Sequence, residues 1–160
     1  MTISSQVSRM LDDEHRANLA LLAKLEQTIG RSARHDPAHA PLLGQLVRLL
    51  EHEVDRHFGF EEEQLFPRME ESGDGGLAVL LQEEHESIRA VGRDLLPLAR
   101  EGAGGSIDEA GWNRLRPLAL ELSERLTAHI DKETMALLPI LNELLDEEAD
   151  RELAFAYTSA

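Results

Sequence analysis

Cysteine is absent from this chain of 160 residues, cations are outnumbered, and no long apolar run occurs. Without cysteine there is no disulfide framework, no thiolate ligation of an iron–sulfur cluster, no zinc ribbon and no thiol nucleophile. Any metal chemistry therefore runs on His and carboxylate ligands. Sixteen Lys and Arg face 31 Asp and Glu, a formal charge of −15. Nucleic acid is bound through clustered Lys and Arg, so this balance excludes it, and an anionic membrane surface with it. No stretch approaches the roughly 20 apolar residues that span a bilayer. The opening MTISSQVSRMLDDEH has no basic segment followed by an apolar one, so the expected location is the cytoplasm. The length suits a single domain over residues 1–160 with one well-buried core.

The β-branched residues Val, Ile and Thr are also few, 16 against 28 Leu and 18 Ala, and this favours helix over sheet. Turn-forming residues lie at Gly30 with 31–37, at 72–76 and at 102–106, and they cut the chain into four long segments. The first helix is expected over about residues 5–29, and the second from Pro41 to a break at Pro67. The third follows Asp74 and ends near Gly102. The fourth starts at a capping box formed by Ser106 and Glu109 and runs, bent at Pro117, to a break at Pro139. A short C-terminal helix over about 140–154 and a frayed tail complete the chain. The expected architecture is all-α, an up-down-up-down four-helix bundle whose core spans about 5–145.

Each helix has one apolar stripe, and each stripe contains a His. The stripes run through Leu11, His15 and Leu22; through Val54, His57, Glu61 and Leu65; through Leu81, His85 and Ile88; and through Leu126, His129, Glu133 and Leu137. The sequence also repeats. His57 is followed by Glu61 at +4 and Pro67 at +10, and His129 by Glu133 and Pro139 at the same offsets. Upstream of each pair lies a Glu-His dipeptide, Glu14-His15 and Glu84-His85, with His15 42 residues before His57 and His85 44 residues before His129. Residues four apart on a helix differ by about 40° around the axis, so each His-Glu pair projects together. One such pair is a weak signal; the pair twice, with two further core His, is a strong one. Burying two carboxylates without compensation costs several kcal/mol each, so cations are expected between them. Four imidazoles and two carboxylates suffice for two ions that share both carboxylates and an oxo or hydroxo bridge. The ligand chemistry suits iron, with manganese or zinc as alternatives, and disfavours calcium and magnesium.

This arrangement, H…HxxxE…H…HxxxE with HFGFEEEQLFP around the second His, resembles the hemerythrin-like, or HHE cation-binding, domains over about residues 5–145. The resemblance implies a four-helix bundle holding a non-haem di-iron centre, with His15, His57, Glu61, His85, His129 and Glu133 as ligands. The chain departs from the oxygen-carrying members, which place a fifth His one turn from the third-helix ligand and an Asp at +5 on the last helix. Here Leu81 and Arg89 flank His85 at −4 and +4, and Glu133 stands at +4.

The remaining candidates have plainer readings. His35 and His39 are expected to be solvated in the first linker, and His52, about 140° around the helix from His57, should miss the ligand face. Glu51, Glu53, Glu62 and Glu63 read as a solvated acidic face, with support of a ligand His from behind as the lesser reading for Glu14 or Glu84. Phe58, Phe60 and Phe66 read as core packing. Gly92 either lets two helices approach or leaves a narrow path for a diatomic molecule. The function expected is binding or detoxification of oxygen, nitric oxide or peroxide in redox or iron homeostasis. An enzymatic version would decompose peroxide or reduce nitric oxide. The alternative is an iron-dependent sensor or iron donor acting through a protein partner, with the acidic surface and residues 146–160 as contacts.

Overall fold

The computed structural model describes residues 5–159, and residues 1–4 and 160, the extremes of the expected 1–160 domain, lie outside them. Among the described residues every regular element is helical. Five rods are formed. The first is α1 (Gln6–Thr28), and after a 3-10 turn (Pro37–His39) the second contains α2 (Ala40–Arg48), α3 (Asp55–Phe60) and α4 (Phe66–Glu71), joined by π-helical segments at Leu49–Val54 and Glu61–Leu65. The third is α5 (Gly75–Ala103). The fourth contains α6 (Glu109–Lys132), a π segment (Glu133–Leu137) and α7 (Leu138–Leu144), and the fifth is α8 (Glu147–Ser159). α1 packs on α2 and α6, and α5 packs on the same two, so the long rods form a helical bundle; α8 lies against α1.

The chain does not stop at Pro67 or Pro139 as its sequence suggests. In both places a π turn precedes the proline: the Phe66 N–H reaches the Glu61 carbonyl, and the Leu138 N–H reaches that of Glu133. A proline in an α-helix lacks one N–H and presses its ring on the carbonyl four residues back. The wider π turn moves that carbonyl away, so the helix continues to Glu71 and Leu144. The rod that was expected to end at Pro139 therefore absorbs the start of the expected 140–154 helix. The C-terminal helix begins later, after Leu145 and Asp146, and runs past 154 through 155–159, where a frayed tail was expected. The last long helix is capped by Asp108, whose side chain accepts the Gly111 N–H, rather than by Ser106.

Apolar contacts fall into two clusters. One gathers Leu25, Leu46, Leu95, Trp112 and Leu126; the other gathers Leu11, Leu65, Met69, Leu81 and Leu137. His39, expected to be solvated, is buried: its ring stacks on Trp112, and its Nδ1 accepts the Asp36 N–H at 3.2 Å. The half-buried His35 ring lies 5.3 Å from the same indole. Gly92 serves close packing, because a Cβ there would come within 3.3 Å of Leu50 Cδ2; its side toward the second rod is filled rather than open.

Candidate metal centre

Between the two apolar clusters lies a layer of six buried polar side chains: His15, His57, Glu61, His85, His129 and Glu133, none more than 4 % exposed. All six residues expected from the sequence thus meet at one level of the bundle. α1, α3, α5 and α6 each contribute one His, and both Glu open π segments. The four imidazoles turn the same nitrogen inward. His15 Nε2 lies 3.1 Å from Glu133 Oε1 and His85 Nε2 lies 3.2 Å from Glu61 Oε1. His57 Nε2 stands 3.4 Å from Glu61 Oε2 and 3.5 Å from Glu133 Oε1, and His129 Nε2 lies 3.5 Å from Glu133 Oε1.

Two donor groups result, each with its ligand atoms within 4.8 Å of one another: Glu61, His85, His129 and Glu133, and His15, His57 and Glu133. Glu133 belongs to both. The Nε2 atoms of His57, His85 and His129, both oxygens of Glu61 and Oε2 of Glu133 have no hydrogen-bond partner among the described residues. Buried polar atoms are nearly always satisfied, and these six converge as electron-pair donors of the types that ligate transition metals. The residues therefore fit a metal centre.

Electrostatics within the layer are strained. Burial pushes the Glu61 carboxyl well above its ordinary range, and the neighbouring Glu133 carboxylate adds to the shift. Burial acts the same way on Glu133, but contacts from Glu61, His15 and His57 outweigh it and hold that carboxyl well down. Burial disfavours charge on His57, yet Glu61 and Glu133 hold its imidazolium well above the usual histidine range. His85 goes the other way, to about 4, lowered by burial and then by the nearby His129.

Behind the inward nitrogens, each Nδ1 meets a second group. Glu62 Oε2 accepts from His85 Nδ1 at 2.6 Å and Glu84 Oε1 from His129 Nδ1 at 2.7 Å. Thr134 Oγ1 lies 3.2 Å from His15 Nδ1, and Glu14 Oε2 stands 3.4 Å from His57 Nδ1. Glu62 is paired with Arg89 at 2.6 Å, and Glu84 with Lys132. Burial tends to raise both carboxyls, but these cations and the adjoining imidazoles hold them below the usual range. Ionised carboxylates only accept hydrogen bonds, so the Nδ1 atoms of His85 and His129 carry the proton and Nε2 keeps its lone pair.

Glu62 was expected on a solvated face, and Thr134 was not singled out by the sequence. Their shared signal is position: each directly follows the Glu of its own half of the repeat. Glu14 and Glu84, the acids before the first and third His, support the His of another rod, as the lesser reading allowed. His52 is surface-exposed and off the layer. Phe58 stacks on His85 with ring centroids 3.7 Å apart, walling the layer. A cavity of about 330 Å³ whose lining includes Glu84, Ile88 and His129 reaches the layer, and one of about 710 Å³, lined by Glu14, Glu53, Arg56 and Tyr157 among others, lies on the side of Glu14.

An all-helical bundle with a buried layer of imidazoles and carboxylates able to hold metal is the class this fold and site define. Residues 6–141 match the hemerythrin HHE cation binding domain, and the chain belongs to that family. A comparison with curated proteins finds no match. Among the described residues no helix is long and apolar enough to cross a membrane.

Proposed function

We propose that the chain is a non-haem di-iron protein, a single domain built as an up-down-up-down four-helix bundle with a short C-terminal helix. It binds or detoxifies oxygen, nitric oxide or peroxide in the cytoplasm, in redox or iron homeostasis. The observation that carries this reading is the convergence of four imidazole Nε2 atoms on two fully buried carboxylates whose oxygens are largely without partners. His15, His57, Glu61, His85, His129 and Glu133 would hold the ions; manganese or zinc would satisfy the same donors. When bound, a pair of iron ions supplies two-electron redox chemistry and open positions for a small ligand. Around it, the carboxylates balance cationic charge, Glu62 and Glu84 fix the tautomer of two ligand rings, and Phe58 with the apolar clusters excludes water.

Metal analysis of the isolated protein, with an optical spectrum before and after adding oxygen, nitric oxide and peroxide, tests the reading. About two iron ions per chain and a spectrum that responds to at least one of these molecules are expected. The double variant His57→Ala, His129→Ala should lose the metal; full iron occupancy in it would overturn the ligand assignment. Turnover of peroxide or nitric oxide above that of the double variant would make the protein an enzyme, and absence of both a binding protein.

A further inference from the structure

The repeat makes the two halves of the centre comparable residue by residue, and one substitution breaks their symmetry. Glu62 follows Glu61, and Thr134 follows Glu133. Each sits behind a His of another rod: Glu62 behind His85, Thr134 behind His15. A carboxylate at this place enforces the Nδ1–H tautomer and raises the basicity of the ligating nitrogen, whereas a hydroxyl donates or accepts equally well and enforces neither. The second support differs in the same sense. Glu84 makes a hydrogen bond to His129 at 2.7 Å and an ion pair to Lys132, while Glu14 stands farther from His57, at 3.4 Å. The donor count agrees, four atoms close together around His85 and His129 against three around His15 and His57.

We infer that the two halves hold their ions with unequal strength: the half built on His85 and His129 retains its ion, and the half built on His15 and His57 releases its ion first, because Thr134 stands where the repeat elsewhere puts a Glu. The inference rests on the two-ion reading above, and Glu62 and Thr134 act as positioning residues. Loss of one carboxylate behind a ligand His lowers metal affinity by about 10- to 100-fold, which sets the expected gap between the halves.

The test is chelator competition. The full chain is loaded with zinc, excess coloured chelator is added, and release is followed in time. Two phases of one ion each are expected, separated by about 10- to 100-fold in rate. Thr134→Glu should slow the fast phase and leave the slow one unchanged. Glu62→Thr should bring the slow phase up to the fast one, and His15→Ala should remove the fast phase while one ion stays on the slow one. Circular dichroism checks that each variant is folded, and Glu62→Thr mirrors Thr134→Glu, so each variant tests the other's half of the centre. Release of both ions in one phase, or a fast phase that moves with Glu62 and not with Thr134, overturns the inference while leaving the two-ion reading intact. Fewer than two ions bound at saturation overturns the two-ion reading itself, and the inference with it.

Discussion

Glu53 and Glu14 face each other at the edge of the larger cavity, and only one of them keeps its charge easily. The hydrogen bond to Glu14, then burial, raise the Glu53 carboxyl to about 7. Burial raises Glu14 as well, but the His57 ring and Glu53 bring it below the ordinary range. In the unfolded chain Glu53 returns to about 4.5. Between those two values the folded chain binds more protons than the unfolded one, so this group makes stability fall as pH rises, and above about 7 the loss is complete. Glu53→Gln should remove that slope. Its thermal midpoint, followed from about pH 5 to about pH 8, should be flatter than that of the parent chain and higher at the alkaline end; parallel curves would refute the pairing. At this scale the sequence was legible where two independent patterns agreed. His57 and His129 each stand on an apolar stripe and each carry a Glu one turn on, so bland explanations had to fail twice. Glu62 and Thr134 lie about 100° around the helix from their neighbouring ligands, and apart from their matched places in the repeat nothing in the chain distinguishes them from a solvated face until another rod is set beside them.

Asp150 shows how the last helix is tied into the bundle. It lies near the start of α8, and its two oxygens accept the N–H groups of Gln6 and Val7, both at 2.9 Å. The first N–H groups of a helix have no partner within it, and a carboxylate there also meets the positive end of the helix dipole. Ser5 adds its own cap to the Ser8 N–H, so the start of α1 depends on residues from both ends of the chain. Asp150→Ala should lower stability by about 1–2 kcal/mol, and the thermal midpoint by several degrees. The exposed Glu152→Ala on the same helix should stay within about 0.5 kcal/mol of the parent. A midpoint for Asp150→Ala equal to that of Glu152→Ala would show that α8 does not cap α1. The long rods themselves could be read from apolar periodicity and from Gly30, Gly75 and Gly104 near the turns. Their ends were harder, because proline reads as a stop in a chain that has only α-helix to offer, and the π turns at Glu61 and Glu133 supply another option. Those turns also set the ligand carboxylates at the wide part of each rod, in keeping with the concentration of π turns at functional sites.

Seen as one body, the molecule is two apolar clusters with a polar layer between them, and that layer works against folding. Six side chains that water would solvate are enclosed, and at Glu61 burial and Glu133 both oppose the charge. In the chelated chain burial and the Glu133 carboxylate hold the Glu61 carboxyl above its ordinary range, so the folded state keeps this proton longer than the unfolded chain does and loses stability as pH rises above that range. Gln has the shape of the protonated acid and can offer its amide to the Glu133 carboxylate without that proton cost. Glu61→Gln should therefore be more stable than the parent when both are chelated, with a higher thermal midpoint near pH 7. Added iron should reverse the order. An ion that binds only the folded state stabilises it by about 2.7 kcal/mol when free metal is 100 times its Kd, and the parent chain should gain on that scale while the variant, which has lost a ligand carboxylate, gains far less. The crossing of the two curves is the measurement. A Glu61→Gln chain less stable than the parent in chelator would mean that the layer is satisfied by the protein alone, and the physical case for cations between the carboxylates would fall with it.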